Sequence, residues 1–329
     1  MVHGAIAERH GTPDQRSGQT APTGNYAAQG DNLAERTRKK LPIAAIIATI
    51  PLMIESVGVY IFGIGLSVYF SFTNTVVFPD YKLVGFKQYE RLWSTDVWIT
   101  AVKNIWIFGI LSIIANLVFG YLLAVFMDQR IKQEDLLRTI FLYPFAMSLI
   151  VTGLVWQWVL DPNYGLTSTM HELGWTSFYF SPLNDANTAL YGLVVAGVWQ
   201  GAGVTMAILL AGLRGVDSEI WKAARVDGIP AWRTYLFIAL PMMRGAVATV
   251  LVLQCIGVLR IYDIIVSMTG AGPGNATMMP AVYVLQYLSD RQNAAQGMAA
   301  ATTMLLPVMI VLVCVGAYRL FGRRKAVAV

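Results

Sequence analysis

The stretch Leu213-Arg214-Gly215-Val216-Asp217-Ser218-Glu219-Ile220-Trp221-Lys222-Ala223-Ala224-Arg225-Val226-Asp227-Gly228-Ile229-Pro230-Ala231-Trp232-Arg233-Thr234-Tyr235-Leu236-Phe237-Ile238-Ala239-Leu240-Pro241-Met242-Met243-Arg244 stands between two long apolar segments. It holds five of the chain's 24 basic residues, and its signals are those of ordered structure. Asp217 or Ser218 suits a helix N-cap, and Glu219 follows in the first turn. Gly228 supplies a helix stop, and Pro230 suits the first turn of a second helix. The spacing therefore predicts helix, tight turn, helix, with small Ala223 and Ala224 allowing another surface to approach closely. The stretch reads as a docking element.

Outward from it, the chain is apolar. Hydrophobic residues make up 56% of the sequence and charged residues 13%, against about 25% charged in an ordinary soluble domain. This places the chain in the membrane class. Cys255 and Cys314 both fall in apolar segments, so neither a disulfide framework nor a metal site is implied. His3, His10 and His171 are scattered, which argues against a histidine-based metal or catalytic cluster.

Residues 1–40 are polar and without aliphatic periodicity, the composition of a disordered tail. The apolar run that follows is too long for a cleaved signal peptide and lacks a small-residue cleavage site. It covers 42–72, which at 1.5 Å per residue reaches about 46 Å, more than a hydrocarbon core of about 30 Å. One long span, tilted or bent near Pro51, is predicted. Glu55 lies within it, either as a functional carboxylate at membrane depth or as a partner-facing or protonated carboxyl. An aromatic loop, 73–98, precedes further predicted spans at 105–127, 139–160 (interrupted by Pro144), 189–212, 245–268 and 299–320. The loop 161–188 has no Lys or Arg, and Thr269-Gly270-Ala271-Gly272-Pro273-Gly274 leads into a predicted interfacial helix at 281–288. Trp156, Trp158 and Trp175 suit the membrane–water boundary.

Basic residues concentrate on one side. The tail carries six, the loop after the second span three, the docking element five and the end of the chain four. The opposite loops carry Lys82, Lys87, Arg91, Lys103 and Arg291. The positive-inside rule then predicts an all-α membrane protein of six spans with both termini in the cytoplasm. The loop 213–244 and the end 326–329 fall on the same side.

No phosphate loop of the Gly-x4-Gly-Lys-Ser/Thr type is present, nor a Ser/His/Asp or Cys/His arrangement. The chain is therefore not expected to be an enzyme. A membrane path joined to an elaborate cytoplasmic docking element suggests driven transport.

The docking element resembles the coupling motif of the permease subunits of ATP-binding-cassette importers: Glu-Ala-Ala, three residues, Gly, then a Leu-Pro further on. Ala223, Ala224, Asp227, Gly228, Leu240 and Pro241 fit, and Lys222 departs from the usual Glu. The resemblance extends over most of 42–325. It is closest to the maltose-type carbohydrate permeases through Val84-Gly85-Phe86, Arg138-Thr139-Ile140-Phe141, Leu160-Asp161-Pro162-Asn163-Tyr164-Gly165 and Thr269-Gly270-Ala271-Gly272-Pro273. Leu213-Arg214-Gly215-Val216-Asp217 is similar to permeases for glucose or mannose. The resemblance implies that Glu219, Lys222, Ala223, Ala224, Asp227, Gly228, Leu240 and Pro241 serve coupling to a cytoplasmic ATPase dimer. That ATPase would present acidic or neutral groups near Lys222 and would hold the ATP and Mg, with no cofactor on this chain. The other implied partners are a second homologous permease, a periplasmic or lipid-anchored sugar-binding protein, and lipid, in a bacterial inner membrane; nucleic acid is not among them.

The resemblance also implies a substrate path through Gly197, Gln200, Gly201 and Val204 on one span and Gln254, Gly257, Val258 and Ile261 on the next. Each set has i, i+3, i+4, i+7 spacing and so shares a helical face. The glycines fit close helix packing equally well. Arg260 and Asp263, three apart, are read either as a pair that snorkels or meets the partner permease, or as an outer gate. The competing reading of the whole chain is an ion-gradient-driven secondary transporter, which would more naturally show a doubled hydropathy pattern and midplane carboxylates. A membrane enzyme or receptor lacks its catalytic cluster or sensing domain.

Overall fold

The computed structural model describes residues 43–76, 81–129, 132–290 and 292–305, with side chains from residue 47 onward. The predicted tail 1–40, most of the predicted span 299–320 and the end 326–329 lie outside the described residues. The chain divides into two units, 1–63 and 64–329. In the first, helix α1 begins as Ile43–Ile54 and passes into a π-helical stretch, Glu55–Ile61. Regular helix resumes at Phe62–Ser71.

The second unit is built on two long helices, α3 (Asp96–Asp128) and α7 (Ala189–Arg214), after a short helix α2 (Lys87–Trp93). Along α3, Ala101, Asn104, Phe108, Ser112, Asn116, Gly120 and Ala124 recur every third or fourth residue and are buried. This stripe of mainly small side chains faces α7. Between helices in lipid there is no water to expel, so close van der Waals packing of small residues drives association. Gly120 shows how close: a Cβ there would collide with Thr205 of α7.

Two hydrophobic clusters fix the direction of the pair. Trp98 and Ala101, at the start of α3, share one cluster with Leu190 and Leu193, at the start of α7. Ala124 and Met127, at the end of α3, share the other with Leu209 and Leu213, at the end of α7. The helices run parallel, and the chain between them must cross back.

That return is α4 (Glu134–Ala146) and α5 (Leu149–Val159), apolar enough to cross a membrane together but bent by 98° where Met147 and Ser148 are extended. Pro144 lies within α4, and the break falls after it. A short helix α6 (Leu166–Glu172) and a 3₁₀ turn, Pro182–Asn184, occupy the loop before α7. After α7 come α8 (Ser218–Val226) and α9 (Ala231–Met242). A 74° bend at Met243 leads into α10 (Arg244–Leu259). Helix α11 (Asp263–Met268) follows a break at 260–262, and α12 (Pro280–Ser289) precedes helical residues 294–305.

Among the described residues, three helices are long and apolar enough to span a membrane: Ile47–Ser71, Asp96–Asp128 and Ala189–Arg214. The two bent pairs bring the number to as many as five. The predicted span 139–160 is interrupted, at Met147 and Ser148 just past Pro144, the predicted span 245–268 is broken at 260–262, and the helix of the second predicted span begins at Asp96, earlier than the predicted 105. The predicted loop 73–98 contains α2. Within the second unit Asp128, Glu134 and α8–α9 lie at one end, and the 161–188 loop and the Gly-rich segment at the other.

Candidate functional site

The docking element folds for local reasons. Asp217 caps α8, its Oδ1 accepting the Glu219 backbone N–H at 3.0 Å. At the far end Gly228 takes φ +68°, the left-handed conformation that costs glycine nothing. Its N–H donates to the Arg225 carbonyl at 3.2 Å, and Ile229 N–H donates to the Ala224 carbonyl at 2.9 Å. These two bonds are the Schellman termination. Pro230 is extended and precedes α9, so it caps the second helix and is not in its first turn. In α9 the stretch Thr234–Ala239 widens into a π-helix just where the ring of Pro241 would crowd the Phe237 carbonyl.

Helix α8 has two faces. Ala224 is buried, and Trp221 packs on the cluster of Met206, Leu209, Leu213, Ala239 and Met243 that closes this end of the bundle, as does Leu240 from α9. Glu219, Lys222, Ala223, Asp227 and Gly228 point outward and are exposed, together with Pro241 beyond the turn. Lys222 is engaged within its own helix: its Nζ donates to Glu219 Oε1 at 2.8 Å, one turn back. Both side chains remain open to solvent.

Polar contacts that sequence reasoning missed join this element to the spans. Tyr235 of α9 donates its hydroxyl to Asp128 Oδ2 at 2.8 Å, and Tyr121 Oη donates to the Tyr235 carbonyl at 2.7 Å. The Tyr235 ring meets Trp221 with centroids 5.0 Å apart. Arg214, in the last turn of α7, donates to Glu134 Oε1 at 2.6 Å and to the Met127 carbonyl at 3.4 Å. One guanidinium therefore ties the ends of α3 and α7 to the start of α4.

The sequence-predicted path residues fall along the seam of α3, α7 and α10. Gly201 backs onto Asn116, whose Oδ1 would lie 2.8 Å from a Cβ at that position, and a Cβ on Gly197 would meet the Phe108 ring at 3.6 Å. Gln200 and Val204 are half-buried. Gln254 Nε2 donates to Thr205 Oγ1 at 3.1 Å, so this amide joins α10 to α7. Val258 packs toward Gly109 of α3, and Gly257 has open space around it. Among the described residues, Ser112 Oγ and Asn116 Oδ1, buried near the middle of α3, have no hydrogen-bond partner. Ile261 lies past the end of α10, so the predicted four-residue face of that span holds only for Gln254, Gly257 and Val258. The same break separates Arg260 from Asp263, and no ion pair joins them among the described residues. Glu55 opens the π-helical stretch of α1 and likewise makes no ion pair there.

At the opposite end, Asn104 of α3 donates to the Ala276 and Met278 carbonyls at 2.8 and 2.9 Å, pinning the Gly-rich segment. Beside it lies a cavity of about 390 Å³ lined by Gln157, Asp161, Asn184, Thr269 and Pro273. Trp156 meets Trp199 edge-on at 5.9 Å, while Trp158 and Trp175 are exposed. The Gln292 backbone N–H and the Asn293 amide hold the Asp290 carboxyl below the usual carboxylate range.

The parallel pair of long apolar helices, the two bent helix pairs and a two-faced docking element at one end are the architecture of a membrane protein. The chain belongs to the family of binding-protein-dependent transport system inner membrane components, which matches it over residues 40–327. A probable ABC transporter permease protein of Pyrococcus horikoshii is 31% identical over 269 residues, 81% of this chain and 92% of that protein. The xylose/arabinose import permease protein of Haloferax volcanii is 30% identical, covering 78% of this chain and 81% of its own. The fold is also that of a bacterial ABC transporter involved in import of alginate, with a TM-score of 0.70 at 18% identity, covering 89% of this chain and 99% of that one.

Proposed function

We propose that this chain is a permease subunit of an ATP-driven sugar importer. In this reading it forms the translocation path with a second, similar permease, and α8 is the part that a cytoplasmic ATPase dimer grips. The observation that carries the reading is the two-faced α8, with Trp221 and Ala224 seated on the end of the bundle and Glu219 through Gly228 turned outward. ATP and Mg then belong to the ATPase subunits, which hydrolyse the nucleotide, and a sugar-binding protein delivers substrate to the 161–188 and 269–290 side. The sugar assignment is supported by relatives named for xylose/arabinose, for trehalose/maltose and for multiple sugars. Within that class we propose a monosaccharide such as glucose or mannose. The path residues argued above offer only Gln200 and Gln254 as strong hydroxyl partners, and Gln254 is already bonded to Thr205. The second permease then supplies most sugar contacts, with Arg260 and Asp263 near the outer exit.

The test is uptake of labelled sugar into vesicles holding the complete complex. ATP inside the vesicle and loaded binding protein outside should both be required, with glucose and mannose competing better than maltose. Uptake that persists without the ATPase subunit and collapses with the ion gradient would falsify the reading.

A further inference from the structure

Movement of α8 does nothing unless it reaches the spans, and the contacts at this end of the bundle are of two kinds. The apolar cluster around Met206, Leu209 and Met243 is non-directional and lets helices slide. The polar contacts fix positions. The Arg214 clamp joins α3, α7 and α4 to one another and does not reach α8. Tyr235 does, and it is held in three ways at once. Its ring lies against Trp221, on the buried face of α8. Its hydroxyl donates to Asp128, on the final turn of α3, and its carbonyl accepts from Tyr121, seven residues earlier on that same helix. Positions seven apart lie on one face, so both bonds grip a single side of α3. Helix α3 in turn packs through its small-residue stripe on α7, which carries half of the proposed path.

We infer that Tyr235 is the positioning residue that delivers the motion of α8 to the transmembrane bundle, with its hydroxyl bond to Asp128 as the link that moves α3. The inference rests on the importer reading. Trp221 receives the displacement from α8, Tyr235 converts it into a pull on the Asp128 carboxylate, and the tight α3–α7 interface carries it to the path. The Tyr121 bond holds the Tyr235 backbone, so that the ring cannot yield by local unwinding of the π-helical turn.

The test uses the complete importer in vesicles, measuring sugar imported per ATP hydrolysed. Tyr235→Phe keeps the ring on Trp221 and removes one oxygen. A hydrogen bond to a charged group is worth enough that sugar per ATP should fall about tenfold. ATPase stimulation by loaded binding protein should stay within about twofold, because docking is untouched. Asp128→Ala should match Tyr235→Phe, and the double variant should be no worse than either, as members of one link behave. Asp128→Asn retains an acceptor oxygen and should restore the ratio. An unchanged ratio in Tyr235→Phe, additive losses in the double variant, or failure of Tyr235→Phe to assemble with the ATPase would overturn the inference, the last by making the contact merely structural. If the unmodified complex shows no ATP-driven sugar uptake, the importer reading itself fails.

Discussion

At the scale of single residues, the docking element shows where local chemistry decides structure. Gly228 was legible as a helix stop because a Schellman termination uses only neighbours in the chain. Replacing it with Ala should destabilise the element by about 1–2 kcal/mol, since an L residue resists the left-handed conformation, measurable by denaturation in detergent. Gly228→Pro cannot adopt φ +68° at all. Membrane insertion should be normal while sugar uptake is lost, and wild-type uptake by this variant would sink the coupling role. Lys222 was legible as a departure from the coupling motif but not as a residue already paired with Glu219. An exposed pair of this kind contributes about 0–1 kcal/mol. Lys222→Ala should therefore leave stability almost unchanged, and any loss of ATPase affinity would report a contact made only in the complex. Asp128 and Tyr235 were not legible as partners: they stand 107 residues apart, and nothing in the local pattern of either segment specifies the other.

Among elements, the helices α3 and α7 were readable from continuous apolar sequence, because hydrocarbon solvent demands unbroken backbone bonding. Their parallel contact is a property of the stripe of small residues. Gly120→Leu should push the pair apart at Thr205 and lower stability by about 1–3 kcal/mol, as overpacking does, whereas Val118→Leu, on the exposed face, should be neutral. Thermal unfolding of the purified permease separates the two. The broken helices were less readable. Pro144 announces an interruption, but the turn falls at Met147 and Ser148, and the break at 260–262 has no proline or glycine within it. Tertiary packing sets these breaks: α5 and α11 press together so closely that a Cβ on Gly153 would strike Ser267. That neighbour relation is non-local, so periodicity carried Ile261, and the Arg260–Asp263 pair, too far along one helix.

For the molecule as a whole, the alternation of sides is the property most open to direct test. In a chain free of Cys255 and Cys314, Val226→Cys and Tyr164→Cys introduce thiols at positions 86% exposed at opposite ends. An impermeant maleimide should label Tyr164→Cys from outside and Val226→Cys only from the cytoplasm, with the latter protected when the ATPase is bound. Labelling of both from one side would overturn the topology. The parallel course of α3 and α7 has an electrical consequence as well. Each helix ends with about half a negative elementary charge on its free carbonyls, and two that end side by side place close to a full negative charge at the docking end, beside the carboxylate of Asp128. Arg214 sits at that confluence, reaching a terminal carbonyl of one helix from the last turn of the other. Removing its charge with Arg214→Gln should therefore destabilise the bundle more than Glu134→Gln does. The first change leaves both helix dipoles without a counter-charge, and the second leaves the cation where the dipoles want it. Arg214 thus balances the field of the helices themselves.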